Sequence, residues 1–254
     1  MNLLPCAAVF VSGLIVGSFL NCIIYRLEKG EGFLTGRSYC PQCKKKLGIL
    51  DLIPIFSFLF LGGRCRYCKE RISWQYPLVE IFTGLIFVLV LNFQISTTQF
   101  FFLLAVSSML LVIFVYDLKH YLIPDKIIYS AIILALLYQG FTGWTFLLNP
   151  LYAGFLAAGF FLAIVLVSRE RWMGLGDVKL GFLMGILLGW PDVLAALFLA
   201  VFTGAIIGIG LIISGKKGLK SEVPFGPFLV AGTFAALFFA DELINWYFNF
   251  FSYL

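Results

Sequence analysis

The chain has 254 residues, of which 61% are hydrophobic and only 12% charged, with a formal net charge of +5. A soluble domain runs nearer ~45–50% apolar and ~25% charged, so a water-soluble core of this size is excluded and an integral membrane protein is indicated. The basic residues follow the gaps between apolar segments rather than one surface. That pattern fits loops held against anionic lipid and argues against nucleic acid as a partner.

Windows of about 17–25 apolar residues predict eight spans in chain order, at Pro5–Tyr25, Pro77–Leu91, Phe100–Tyr116, Ile127–Phe141, Leu151–Val167, Val178–Gly189, Val193–Ile213 and Phe225–Ala240. The N-terminus lacks the positive n-region of a secretory signal, so the first stretch is expected to stay as a span. All eighteen Lys and Arg residues fall in alternate gaps: ten from Arg26 to Arg71, then Lys119 and Lys126, then Arg169, Arg171 and Lys179, and finally Lys216, Lys217 and Lys220. The positive-inside rule places those gaps in the cytoplasm and both termini outside. Trp74, Trp144, Trp172, Trp190 and Trp246 all fall at predicted span ends, where an amphipathic indole prefers to sit. The uncharged aromatic tail from Leu243 is expected along the outer interface. Trp190-Pro191-Asp192 reads either as a tight external turn or as a break within one longer unit. Gly13 and Gly17 in the first span, and Gly204, Gly208 and Gly210 in the seventh, read as helix-packing positions.

The large gap between the first and second spans carries Cys40-Pro-Gln-Cys43 and Cys65-Arg-Tyr-Cys68, with 21 residues between them. Each CxxC turn holds two thiolates, and two such turns complete a tetrahedral Zn²⁺ site; the separation lies just beyond the usual ribbon range of about 15–20. Structural zinc is the favoured reading. A redox-sensitive tetracysteine site and incidental cysteines are the alternatives, and disulfides are disfavoured because the basic loop lies where thiols stay reduced. Cys6 and Cys22 lie inside the first span and read as inert.

Carboxylates at a membrane edge are costly and draw attention first. Asp117 ends the third span and Asp177 opens the sixth in Gly174-Leu-Gly176-Asp177, so the predicted topology puts both on the cytoplasmic side at one depth. Two juxtaposed carboxylates do not both ionise easily and share a proton. One can then draw a proton from water while the other stabilises charge on a scissile carbonyl, which is aspartyl proteolysis. Gly174 and Gly176 would leave the backbone there open to an extended peptide. The competing reading has each Asp capping a helix or pairing with Lys119 or Lys179. Asp125, after Pro124, reads as an N-cap, and His120 as a solvated loop residue. There is no phosphate loop, nucleophile elbow or HExxH motif, and no convincing Ser–His or Ser–Lys pair.

Five blocks carry a resemblance over nearly the whole chain: Gly17-Ser-Phe-Leu-Asn-Cys-Ile-Ile-Tyr-Arg-Leu27, the two CxxC turns, Ile72-Ser-Trp-Gln-Tyr-Pro-Leu-Val-Glu80, Asp117-Leu-Lys-His-Tyr-Leu-Ile-Pro-Asp125 and Gly174-Leu-Gly-Asp-Val-Lys-Leu180. Together they resemble the bacterial prepilin peptidases, or type IV leader peptidases, among the GxGD intramembrane aspartyl proteases. The resemblance implies an all-α integral membrane protein of the bacterial inner membrane, divided into a first helix (1–27), a cytoplasmic tetracysteine zinc domain (28–75) and a multi-helix protease domain (76–254). It implies Asp117 and Asp177 as catalysts and Cys40, Cys43, Cys65 and Cys68 as zinc ligands. The implied substrate is a membrane-anchored prepilin or pseudopilin, cut after a Gly on the cytoplasmic side. S-adenosylmethionine-dependent N-methylation of the new terminus is implied as well, although no methyl-donor fingerprint is visible and Glu80 and Asn21 are candidates only. The run Lys44-Lys45-Lys46 departs from the family pattern, which often has a His there. Glu28, Glu31 and Glu70 are candidate contacts for a basic leader. A non-catalytic assembly protein of a pilus or type II secretion system is the alternative, and a proton-coupled transporter finds no support in an internal repeat.

Overall fold

The computed structural model describes residues 3–32, 36–93, 95–215 and 223–252, and of residues 144–146, 240, 241 and 243–252 the backbone alone. The order is α1 Leu3–Lys29, a 3-10 turn at Ile49–Asp51, α2 Phe56–Phe60, α3 Gln75–Asn92, α4 Thr97–His120, α5 Asp125–Thr142, α6 Trp144–Ser168, α7 Leu175–Leu188, α8 Asp192–Ile213 and α9 Gly226–Ser252. Eight of these helices have 14 residues or more and match the eight predicted segments. Five described stretches, Leu3–Lys29, Gln75–Asn92, Thr97–His120, Leu147–Ser168 and Asp192–Ile213, are long and apolar enough to cross a membrane. The only extended pairing among the described residues consists of two isolated bridges. The protein is therefore an all-helical, multi-pass membrane protein. Its chain divides into two compact units, Met1–Val112 and Ile113–Leu254.

In the first unit α1 packs on α3. The contact is close because two glycines put backbone on backbone: a Cβ on Gly13 would lie 2.6 Å from Gly84 Cα, and one on Gly17 would lie 2.7 Å from Glu80 Cα. This is the small-residue packing that lipid-embedded helices use in place of a hydrophobic drive. Gly17→Ala must push the helices apart and is expected to cost about 1–3 kcal/mol, read as a lowered melting temperature in detergent. The same change at Gly208, where nothing lies within 4 Å, leaves the melt unmoved. In the seventh predicted span only Gly204 meets neighbours, Phe225 and Phe228, while Gly208 and Gly210 meet none within 4 Å.

In the second unit α7 is the hub, packing on α5, α6, α8 and α9. Two joints differ from expectation. Helix α6 begins at Trp144 and runs through Pro150, so the gap expected between Phe141 and Leu151 shrinks to Gly143; neighbouring helices tolerate a proline that an isolated helix would not. Trp190-Pro191 proves to be a tight turn between α7 and α8, with a cis peptide bond. The Asn149 amide holds it, accepting from the Trp190 N–H at 2.6 Å and donating to the Trp190 carbonyl at 3.1 Å. Helix α9 is interrupted by non-helical Phe239 and then resumes to Ser252. Trp74, Trp172 and Trp190 are exposed at helix ends as expected. The side chains of Trp144 and Trp246, the tail side chains, and Lys216, Lys217 and Lys220 lie outside the described residues.

Candidate active site and metal centre

Asp117 occupies the last turn of α4 and is buried. That helix stops because Tyr121 takes a left-handed conformation (φ 56°) and its N–H donates back to the Asp117 carbonyl at 2.9 Å, an αL cap. Pro124 then prevents the helix from resuming until Asp125. The short return brings Ile123 back against the start of α7, where a Cβ on Gly176 would stand 3.1 Å from the Ile123 Cβ.

Asp177 lies in the first turn of α7, whose N-cap is Gly174. Its carboxylate reaches back to the Gly174 N–H, the acidic half of a capping box. Gly174 is open to approach, as expected, whereas Gly176 is packed on Ile123. Ile123, which packs on Gly176 beside Asp177, also lies next to the Gly226 position that abuts Asp117, so the two aspartates are in the same neighbourhood of the second unit.

Gly226, the first residue of α9, completes the cluster. Its N–H, one of the groups that a helix N-terminus leaves without an internal partner, hydrogen-bonds to the Asp117 carboxylate. A Cβ at this position would fall 2.6 Å from Asp117 Oδ2 and 3.5 Å from Ile123 Cδ1. Sequence reasoning placed a span start here but missed the glycine. The available signal was Pro224-Phe-Gly226-Pro227, a proline-bracketed glycine at a helix start.

The ion pair that would have explained Asp177 away goes elsewhere. Lys179 Nζ lies 2.6 Å from Asp125 Oδ1 and 4.9 Å from the Tyr129 ring centroid. Asp125 is therefore not the N-cap expected from sequence; Pro124 holds that place, and the Asp125 side chain turns to the cation on α7. His120 differs as well. It ends α4, half-buried, with its ring 4.5 Å from that of Tyr116.

In the first unit the two CxxC turns adopt the same local fold. Cys40 N–H donates to the Lys45 carbonyl at 2.9 Å and Cys65 N–H to the Glu70 carbonyl at 2.8 Å, while Lys44 and Lys69 each turn with φ near 60°. The four thiol sulfurs lie within 4.8 Å of one another, with Cys40 and Cys68 3.9 Å apart. A tetrahedral tetrathiolate zinc site with bonds of ~2.3 Å separates its sulfurs by about 3.8 Å, so the donor set fits that ion, and the cysteines are not disulfide-bonded. Burial opposes the Cys65 thiolate, yet N–H groups of Cys68 and Tyr67 and the neighbouring thiols bring it down to about 7. Cys68 is pushed up to about 11, against a hydrogen bond from the Glu70 backbone, by burial and the same thiols. A bound cation relieves that competition.

Asn21 and Glu80 are both buried between α1 and α3. The Asn21 amide donates to the Tyr76 carbonyl at 3.0 Å and accepts from Gln75 at 3.3 Å, and Glu80 accepts from the Ile55 N–H at 2.8 Å. Of the acidic loop residues proposed for leader contact, Glu31 accepts from the Tyr39 hydroxyl at 2.8 Å.

These features define a polytopic membrane protein with one aspartate at the end of α4, another at the start of α7, and four clustered thiols that could hold a metal ion. The Bacterial Peptidase A24 N-terminal domain matches residues 11–93 and the Type IV leader peptidase family matches residues 104–209. The chain belongs to the type IV leader peptidase family. It is 35% identical to the prepilin leader peptidase/N-methyltransferase of Bacillus subtilis over 245 residues, covering 94% of this chain and 96% of that one. The proteins of the same name from Aeromonas salmonicida and Legionella pneumophila are each 31% identical, covering 94% and 92% of this chain and 92% and 91% of theirs. No solved structure matches.

Proposed function

We propose that this protein is an intramembrane aspartyl endopeptidase that removes the leader of a type IV prepilin or pseudopilin on the cytoplasmic side and then methylates the new N-terminus. The observation that carries the proteolytic half is that Asp177's turn of α7 and the Gly226 start of α9 beside Asp117 both meet Ile123, each carboxylate being oriented by one backbone N–H, from Gly226 for Asp117 and Gly174 for Asp177. The relatives' names supply both activities.

In this mechanism the dyad holds one shared proton. The ionised carboxylate takes a proton from water as the water oxygen bonds to the scissile carbonyl carbon. The protonated partner donates to the carbonyl oxygen. Collapse of the tetrahedral species breaks the C–N bond, and the departing nitrogen takes the proton abstracted from water. The N–H groups at Gly226 and Gly174 keep each carboxylate in place while its charge changes, which is preorganisation rather than chemistry. The open backbone at Gly174 is where an extended leader would pass.

In the topology we propose, eight helices span the bilayer, both termini are outside and the dyad faces the cytoplasm, as the basic residues require. Residues 1–27 anchor, 28–75 form the metal domain and 76–254 the protease. Cys40, Cys43, Cys65 and Cys68 would hold a structural Zn²⁺, which fixes the two CxxC turns against each other. We expect metal analysis to give about one zinc per chain, falling by at least about tenfold in Cys65→Ser. The methyl donor of this family, S-adenosylmethionine, has no residue constellation assigned among the described residues, and no proteolytic step runs through it. Cleavage of a prepilin with a Gly-Phe junction by the reconstituted protein tests the reading. Cleavage that survives substitution of either aspartate would instead favour a non-catalytic assembly protein with a contaminating protease.

A further inference from the structure

The stretch between the two CxxC turns bears a cluster of exposed apolar side chains. Ile49 and Phe60 are 86% and 87% exposed, and Leu50, Phe56 and Leu59 are exposed beside them. The short helix α2 is divided between two faces: Phe58 is buried, with its ring 4.9 Å from that of Trp74, while its neighbours point outward. Each of these outward side chains leaves apolar surface in water if water is all that it meets.

The backbone between them is strained. Phe56 N–H donates to the Pro54 carbonyl at 2.6 Å across Ile55, which stands at φ 61°, ψ −52°. This is a γ-turn of the rare, positive-φ kind, and in a β-branched residue it persists only where its surroundings enforce it. The enforcing group is Glu80 of α3, whose buried carboxylate accepts the Ile55 N–H at 2.8 Å and also hydrogen-bonds to Ser18 of α1.

That bond fixes the depth of the segment. Helix α3 has 18 residues, a length of about 27 Å against a hydrocarbon core of ~30 Å, so a spanning α3 has no spare turn outside the bilayer. Glu80 is its sixth residue, about 7–8 Å along the axis from its start, and its side chain tilts back toward that start. Ile55 is thereby held within about a helical turn of the hydrocarbon boundary. With α3 spanning, Trp74, exposed immediately before it, would fall at the level where interfacial indoles sit. Residues 26–71 carry ten basic and four acidic side chains, a balance complementary to anionic headgroups.

We propose that Ile49–Phe60 is a membrane-docking segment: Ile49, Leu50, Phe56, Leu59 and Phe60 insert at the headgroup–acyl boundary of the leaflet that the basic residues face, pinned there by the Glu80–Ile55 bond. The four-cysteine domain then sits on the bilayer as an interfacial element rather than swinging free on its tethers.

The test places a fluorescent non-natural amino acid at Phe60, or at Leu50 should that variant misfold, in the full chain reconstituted into phosphatidylcholine and phosphatidylglycerol vesicles. A control probe sits at Lys69, exposed on the second CxxC turn. Lipid brominated near the top of the acyl chain should quench the Phe60 or Leu50 probe at least about twofold while aqueous iodide does not, and the Lys69 probe should show the reverse. Glu80→Ala should weaken the bromolipid quenching, and Glu80→Gln, which keeps an acceptor, should largely restore it. Iodide quenching without bromolipid quenching at both sites would overturn the proposal. So would quenching by neither, the mark of a face covered by protein such as a second copy or a substrate helix.

Discussion

Replacing either aspartate, Asp117→Asn or Asp177→Asn, is expected to lower leader cleavage by at least about 10³-fold while leaving the protein folded and its metal bound. General acid–base catalysis contributes about 10²–10⁴-fold. Members of a unit that share one proton are not additive, so the double variant should be little worse than either single one. Asn keeps the volume and an acceptor oxygen for the Gly226 or Gly174 N–H, so loss of packing is not the explanation on offer. Lys179 sharpens the comparison, because its ammonium pairs with Asp125 and the Asp177 variant does not break that ion pair. Rates from single-turnover assays with a reconstituted prepilin check the prediction. Additive losses would show that the carboxylates act separately.

Gly226→Ala should impair catalysis without altering either member of the dyad. A methyl group here would fall 2.6 Å from Asp117 Oδ2 and 3.1 Å from its Cγ, and Asp117 is buried, so the carboxylate must move rather than the helix. A displacement of about 1 Å in a reacting group can cost about 10²-fold. The loss should appear in kcat more than in KM, since ground-state binding of the anchored substrate is untouched. Helical content by circular dichroism should be retained. Wild-type kcat in Gly226→Ala would mean that this glycine does not set the position of Asp117.

Much of this arrangement was legible in the chain. Helix positions followed from long apolar windows, a signal that survives without any knowledge of partners. The four thiols were readable because each CxxC turn is local, and only the pairing of the turns is long-range. Asp117 and Asp177 were picked out through topology, which put the end of the third span and the start of the sixth on one side of the membrane.

What escaped depends on which residues meet across the fold. Asp125 looked like an N-cap because local sequence around Pro124 favours one, and nothing local announces that Lys179, 54 residues on, claims its carboxylate. Gly226 carries no charge and no periodicity; its meaning lies wholly in the carboxylate beside it. The start of α6 was hidden by Pro150, which reads as a boundary in sequence and is accommodated within the packed bundle. Glu80 was noticed as a polar group near a span end, but its bond to Ile55 depends on a γ-turn that no propensity predicts.

The central claim is that Asp117 and Asp177 form one proteolytic centre facing a membrane-anchored leader. The most direct measurement is intact mass of a prepilin with a Gly-Phe junction after incubation with the purified protein in lipid, with and without S-adenosylmethionine. The account predicts loss of the leader at that junction in wild type, a further methyl increment only when the donor is present, and no leader loss in Asp117→Asn or Asp177→Asn. Cleavage at the same junction by either aspartate variant at the wild-type rate would contradict it.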